Sequence, residues 1–338
     1  MKPKSCLLVF CLILALVLPW GSRDLGLVWA ASCNVLDYGA DPYFTESASD
    51  EIQAAIDDDN CDEVYFPGGT YKLTDSVKPK SNLTLNISSG ATLKVSENQS
   101  DLNSIFRVVY LDNVSNVVIK GGGTIDASGP FYHNTDGTRV SGNRPGFVLF
   151  VKRSSDITVE NLTLKGSVEW TFPIYRSDYV TVDNVTIRNP VYSEAHNTDG
   201  IDIVASRNIT VRNCVIETGD DAIVLKSKPF DGDKWHELPE MHDIQVERCT
   251  VASTCNATKI GTETSNDIYD VTFRDITVNR HAGGGRNTAG ISVQSNDGAW
   301  VYDIQFINYT INNSYCPIFI GLQDRDSYIE GDIGKVYN

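Results

Sequence analysis

A short phrase that recurs six times from residue 157 onward restricts the fold of this chain more than any other feature. Each copy is an apolar–x–apolar alternation, a bend centred on Asn, Asp or Arg, and a second alternation ending on an apolar residue. The copies read ITVENLTL from Ile157, VTVDNVTI from Val180, ITVRNCVI from Ile209, IQVERCTV from Ile244, VTFRDITV from Val271 and IQFINYTI from Ile304. Their starts are separated by 23, 29, 35, 27 and 33 residues. Period-two alternation on both sides of a polar bend describes two short strands meeting at a corner. Repeated at this interval, it describes the coils of a right-handed parallel β-helix, an all-β solenoid. One coil cannot bury its inner face alone, so the coils stack. An antiparallel β-sandwich is the alternative, but it gives no reason for the fixed phase. Asn at the corner tolerates left-handed backbone and can bond to its neighbours above and below. Ahead of the repeats, SDEIQAAI (49–56) predicts a short helix, with Ser49 or Asp50 as cap and Ile52, Ala55 and Ile56 on one face. Such a helix suits the open end of a solenoid, which otherwise exposes apolar interior and strand edges.

Two acidic clusters fall in step with these coils. The stretch from His196 to Lys226 reads HNTDGIDIVASRNITVRNCVIETGDDAIVLK, with Asn197-Thr198-Asp199-Gly200 and Gly219-Asp220-Asp221 each directly before an apolar alternation. Asp199 and Asp221 are 22 residues apart, about one coil. If both clusters open the same strand of successive coils, Asp199, Asp220 and Asp221 meet on one outer surface. Paired carboxyl groups are the equipment for glycosidic bond hydrolysis, one protonated to donate to the leaving oxygen and one ionised to activate water. Crowding favours that division, because mutual repulsion keeps one carboxyl protonated. Asp-Gly pairs also serve as plain turns, as at 136–137, 231–232 and 297–298. Two clusters in register, each opening a strand, favour the catalytic reading. Asp202 is read as outward-facing support.

These motifs resemble the polygalacturonase-type pectin hydrolases, glycoside hydrolase family 28. The likeness rests on Asn197-Thr198-Asp199-Gly200 with Asp202 and on Gly219-Asp220-Asp221. It extends to Asn34–Ala40, Val64–Tyr71 and Gly123–Asp126, and covers roughly residue 33 to the end. The resemblance implies a pectin-type plant cell-wall polysaccharide as substrate, Asp220 as general acid, Asp199 and Asp221 positioning the water, inversion, and no metal or other cofactor.

The chain departs from the family where substrate is gripped. Aligning Ile260-Gly261 places Cys255-Asn256-Ala257 where the family has Gly-His-Gly, so Asn256 replaces the histidine. Aligning Gly290-Ile291 places Ser292-Val293-Gln294 where it has Arg-Ile-Lys. Ser and Gln cannot reproduce an arginine fork on a carboxylate. Rhamnogalacturonan is therefore the alternative to polygalacturonan, because a neutral sugar needs no such clamp. Asn256, Lys259, Lys226 and Gln294 are the candidate substrate ligands. Lys228, Glu263 and His196 are possible additions, and Trp170, Phe172, Trp235 and Trp300 offer rings for sugar stacking or for packing. Segment 227–243 predicts a loop that projects beside the aspartates and walls the cleft. Competing readings are a Ca²⁺-dependent polysaccharide lyase and a non-catalytic polysaccharide-binding β-helix.

Residues 1–30 carry Lys2 and Lys4, an apolar run from Cys6 to Trp20 and a small-residue site at Val28-Trp29-Ala30, the pattern of a cleaved secretory signal. Gly21, Ser22, Arg23 and Asp24 end the run too early for a membrane span. Lipid anchoring at Cys33 is the lesser alternative. The expected mature protein is secreted, has no membrane segment, forms one domain over 31–338 and is a monomer. Without Cys6 and Cys11, 6 of the 8 cysteines remain, and an oxidising compartment favours pairing. Cys33 and Cys61 bracket the first amphipathic segment and are the expected disulfide. Cys214 and Cys249 occupy equivalent repeat positions, as stacked thiols or a bond. No spacing reads as a zinc site. The net charge of −16 excludes a general nucleic-acid binder, while a local basic cleft on an acidic body remains compatible with an anionic polysaccharide. Sequons at Asn161, Asn184, Asn208 and Asn308 follow from the repeat itself.

Overall fold

The computed structural model describes residues 31–134, 136, 138–189, 196–230, 232–325 and 333–337. The signal segment expected over 1–30 lies outside the described residues. From residue 31 the chain winds as a right-handed parallel β-helix. The recurring phrases pair in the register that their phase predicts. Ile157 is level with Val180, Val180 with Ile209, Ile209 with Ile244, Ile244 with Val271, and Val271 with Ile304. Each corner residue, Asn161, Asn184, Asn213, Arg248, Asp275 and Asn308, has φ between 52° and 56°. Asn184 Nδ2 donates to Asn161 Oδ1 at 2.8 Å and Asn308 Nδ2 to Asp275 Oδ1 at 2.5 Å, so the corners form ladders up the stack.

The strands before and after these corners belong to one 19-stranded sheet system that wraps two sides of the coil. The third side is a nine-stranded parallel sheet, and it carries the acidic clusters. Its strands are β1 (Asp75–Val77), β2 (Ser104–Asp112), β3 (Phe147–Lys152), β4 (Phe172–Tyr175), β5 (Ile201–Val204), β6 (Ile223–Ser227), β7 (Asn256–Thr264), β8 (Asn287–Ser295) and β9 (Ser314–Leu322). Inside the coil, aliphatic side chains stack in columns such as Ile157, Val180, Ile209, Ile244 and Val271, all essentially fully buried. Each such side chain contributes about 1.5–3 kcal/mol relative to exposure, so the coil interior supports the outer faces rigidly.

The predicted helix forms as α1 (Ser49–Asp57), with Ile52, Ala55 and Ile56 fully buried in the common core. Its cap differs from expectation: Ala48 is the N-cap and gives no side-chain bond. Ser49 Oγ is turned to the next coil, accepting from Thr74 N and Asp75 N at 3.0 and 3.1 Å. Cys33 and Cys61 form the expected disulfide, with Cα atoms 5.6 Å apart. Cys214 and Cys249 are buried free thiols. Among the described residues no helix is long and apolar enough to cross a membrane.

Candidate active site

The site is built where β5, β6 and β7 begin. Ile201 is level with Ile223, and Ile223 with Thr258. Counting back two residues puts Asp199, Asp221 and Asn256 in one row across three successive coils. Gly200 makes the row possible: a Cβ there would lie 2.3 Å from the carbonyl oxygen of Ala222. That close approach lets Gly200 N donate to Asp221 O and Ile201 N to Ala222 O, both at 2.9 Å.

Asp221 is buried and fully engaged. Its Oδ1 accepts from Asn256 N and Nδ2 at 3.1 and 2.7 Å, and its Oδ2 accepts from Lys259 Nζ at 2.8 Å. Burial pushes its pKa upward, but Lys259, Lys226 and these hydrogen bonds outweigh it and hold the carboxyl below its ordinary value. Asp199 is also buried, and the balance there is opposite. Desolvation drives its pKa well up, repulsion from Asp202, Asp220 and Asp221 adds to that, and Lys226 only partly compensates. Lys226 Nζ donates to Asp199 Oδ2 at 2.8 Å and to Asp202 Oδ1 at 2.7 Å. Burial alone would discharge this lysine, but Asp199, Asp202 and Asp221 keep its pKa well above normal. Its ammonium also lies 3.9 Å from the centroid of the Trp170 ring, a cation–π contact in a dry setting. Asp202, completely buried, is raised to about 6 by desolvation against the pull of Lys226. Asp199 Oδ1 and Asp202 Oδ2 accept no hydrogen bond among the described residues. A pair with two unused buried oxygens and one shared ammonium is suited to retaining a proton.

Asp220 is the accessible member, half-buried where the others are 2–3% exposed. Its Oδ2 accepts from Asn197 N at 2.8 Å and its Oδ1 from Asp221 N at 2.9 Å. Asn197 sits in left-handed backbone (φ 63°), which turns its N–H toward Asp220. Ser253 Oγ and Thr218 Oγ1 hold the Asp220 carbonyl at 2.6 and 2.7 Å. The cluster therefore combines one reachable carboxyl, one carboxylate held ionised and one buried carboxyl biased toward its protonated form.

The structure thus brings together Asp199, Asp220, Asp221, Asn256, Lys226 and Lys259. Lys226 and Lys259 are committed to aspartates, so their ammonium groups face the cluster and not an open groove. Asp202 alternates with the core residues Ile201 and Ile203, as expected of an outward position, yet it is covered and bonded to Lys226. Gln294 lies one coil beyond Lys259, with Nε2 on Ser292 Oγ at 2.9 Å. Lys228 pairs with Glu263 at 3.6 Å. Phe172 is core, and Trp170 packs over Lys226 and against Phe147 and Phe230. Segment 227–243 does not project as expected: it lies back on the outer face of the sheet. Phe230 contacts Trp170, Tyr175 and Phe150, and Asp233 accepts from Tyr175 Oη at 2.5 Å and Arg153 Nη2 at 2.7 Å and pairs with Arg176 at 3.0 Å. Arg139 escaped the sequence reading. Its Nη2 reaches Asn197 Oδ1 at 2.7 Å from a coil 58 residues earlier in the chain. Only its basic loop, TRVSGNR over 138–144, marks it in an acidic chain.

Asp220, Asp221 and Cys255 place a carboxylate oxygen, a second one and a thiol within 4.8 Å of one another. This donor set fits a metal poorly. Both oxygens of Asp221 are taken by Asn256 and Lys259, those of Asp220 by two backbone N–H groups. Burial, then the two aspartates, pushes the Cys255 thiol far up, away from the thiolate a metal requires.

Comparison with known proteins bears on the family and the fold. Residues 61–330 match the family model described as Glycosyl hydrolases family 28. A "Probable polygalacturonase" of Vitis vinifera is 30% identical over 263 residues, 72% of this chain and 52% of that protein. The chain spans about half the length of the first curated relatives it matches. Among solved structures, an exopolygalacturonase from Thermotoga maritima aligns with TM-score 0.70 at 20% identity, covering 86% of this chain and 76% of that one. A polygalacturonase from Erwinia carotovora aligns with TM-score 0.69 at 22% identity, covering 91% and 81%. At these identities the structural likeness is one of fold.

Proposed function

Because the chain belongs to glycosyl hydrolase family 28, we propose that it hydrolyses glycosidic bonds in the backbone of a pectin-type polysaccharide, with inversion and without a metal. The carrying observation is the row of Asp199 and Asp221 on adjacent coils, with reachable Asp220 beside it. In this reading Asp220 gives its proton to the leaving glycosidic oxygen as the C–O bond breaks. Water attacks the anomeric carbon from the opposite face and yields its proton to Asp221. Lys259 and Asn256 keep Asp221 ionised for that step, and Asp199 orients the water. Lys226 is a positioning residue: it holds Asp199 and Asp202 rather than substrate. Asn256 acts in the same way through Asp221. Gln294 and Ser292 offer neutral hydrogen bonds to sugar on the coils after Asp221.

A calcium-dependent lyase is disfavoured by the same geometry, because the lysine ammonium groups stand where a divalent ion would have to neutralise the carboxylates. Secretion as a single mature domain over 31–338, acting as a monomer, completes the reading. The Cys33–Cys61 disulfide supports an oxidising compartment.

The test is reducing-end release from polygalacturonic acid and from rhamnogalacturonan, with wild type beside Asp220→Asn and with and without chelator. Hydrolysis of either polymer is expected, unaffected by chelation and reduced by roughly 10²–10⁴-fold in the variant, the usual scale of a general acid. Activity that needs added calcium, or that survives in Asp220→Asn, refutes the assignment.

A further inference from the structure

One run of polar contacts ties together the stretches ahead of β3, β4, β5 and β6. Arg139 lies before β3, Glu169 before β4, Asn197 before β5 and Asp220 before β6. Arg139 Nη1 pairs with Glu169 Oε1 at 3.1 Å. Its Nη2 donates to Asn197 Oδ1 at 2.7 Å and reaches His196 O at 3.5 Å. Asn197 N in turn donates to Asp220 Oδ2 at 2.8 Å. The carbonyl of His196 and the N–H of Asn197 belong to the same peptide unit. A guanidinium therefore stands at one end of that unit and the Asp220 carboxyl at the other. A cation at the carbonyl polarises the peptide and strengthens its N–H as a donor, because hydrogen bonds in a chain reinforce one another.

His196 and Asn197 are exposed, and Asn197 is held at φ 63°. Left-handed backbone outside glycine persists where the surroundings impose it. Here Arg139 grips the turn by its side chain. Arg139 is itself anchored on Glu169, whose Oε1 also meets Arg144 Nη2 at 3.0 Å and whose N donates to Gly146 O at 3.0 Å. We propose that Arg139 is a positioning residue for Asp220. It locks the His196–Asn197 peptide so that the N–H fixes Oδ2, while Asp221 N fixes Oδ1 at 2.9 Å. Together the two bonds set the plane of the carboxyl. Each oxygen spends one lone pair on an N–H and keeps the other. This rests on the hydrolase reading, in which Asp220 gives its proton to the leaving oxygen. It also gives two adjacent residues complementary tasks. Glu169 anchors the clamp on the acid, and Trp170 covers Lys226, which holds Asp199.

The test varies the leaving group, which separates proton delivery from the rest of the site. A galacturonate oligomer leaves as a sugar alkoxide and needs the proton, whereas the p-nitrophenyl glycoside of such an oligomer leaves as a stable anion and does not. On the oligomer, Arg139→Gln is expected to lower kcat about 10–100-fold with KM within about twofold, the scale of a misplaced group. On the p-nitrophenyl glycoside the loss should be at least about fivefold smaller, because proton transfer is no longer in demand. Arg139→Lys, which keeps the charge without the fork, should recover part of the oligomer rate. An equal loss on both substrates overturns the proposal, since a general disturbance of the site lowers both. If Asp220→Asn discriminates between the leaving groups and Arg139→Gln does not, the hydrolase reading stands and the positioning role falls. A second readout needs no turnover. In proton–nitrogen correlation spectra the Asn197 amide proton should lie downfield, as a donor to a carboxylate, and should move upfield in Arg139→Gln. A resonance that stays in place overturns the proposal. If wild type cleaves neither substrate but the resonance moves, the hydrolase reading fails and the hold of Arg139 on the turn stands.

Discussion

Asp202 meets Lys226 in a place where water does not compete, and its titration is therefore coupled to the stability of the whole coil. Its pKa is raised from 3.8 to about 6, by desolvation first. Between those values the folded protein binds the proton more tightly than the unfolded chain does. The stabilisation from protonating Asp202 is fully present below 3.8 and is lost as pH rises through about 6. Asp221 runs the other way: its lowered pKa stabilises the fold above the ordinary carboxylate range and loses that effect as pH falls. Urea unfolding of Asp202→Asn and wild type from pH 4 to 7 should show a smaller decline with rising pH in the variant. An unchanged slope would exclude Asp202 as the titrating group. Asp199 and Asp221 were legible in the sequence because phase alone placed them level. The Asp202–Lys226 bond was not, because alternation assigns a residue to a face but does not reveal that Trp170 packs over that face. Nor was Arg139 legible, since its partner Asn197 lies 58 residues on and no local pattern links the two.

Segment 227–243 shows how an element inserted between strands acquires a fixed place. Its composition announced a loop, and its length suggested projection. What holds it down is long-range: Phe230 inserts among Trp170, Tyr175 and Phe150, while Asp233 collects Arg153, Arg176 and the Tyr175 hydroxyl. Phe230 N also donates to Tyr175 Oη at 3.1 Å. The segment is a strap across the sheet, and it packs on the Trp170 ring that covers Lys226. Phe230→Ala is expected to cost about 1–3 kcal/mol and to open the strap to limited proteolysis while the coils stay folded. Circular dichroism and mass mapping of the cleavage sites would check this. Cleavage distributed along the coils would contradict a locally held strap. The corner residues were predicted more fully. Asn161, Asn184 and Asn308 are left-handed as expected, and their side-chain bonds run up the ladder. In each of these sequons the side chain bonds within the ladder, Asn161 as acceptor and Asn184 and Asn308 as donors.

At the scale of the molecule, contacts are between neighbouring coils, and stability accumulates along one axis. Among the described residues, the first coil is the one fastened covalently. Cys33 and Cys61 close a loop over a sequence separation of 28, and α1 lies within it. Replacing both cysteines by alanine is expected to remove about 3–4 kcal/mol by the chain-entropy argument, concentrated at this end. Hydrogen exchange should show lost protection over the first coils and little change around β5 to β7. A uniform loss would mean that the stack unfolds as one unit. The overall architecture was readable because six successive coils state the same alternation. The surface around the acidic row was less so, because it is assembled from the stretches between repeats, where no periodicity constrains the residues.

Ile157 is level with Val180 after 23 residues, and Ile209 is level with Ile244 after 35, yet both pairs keep the same register. The stacking is indifferent to how far the chain wanders between corners. Length is thus a free variable in this architecture, and selection can lengthen, shorten or recharge the walls of the groove while its floor stays in place. A solenoid built this way can change the lining of its outer face one excursion at a time, without renegotiating the scaffold that aligns its carboxyl groups.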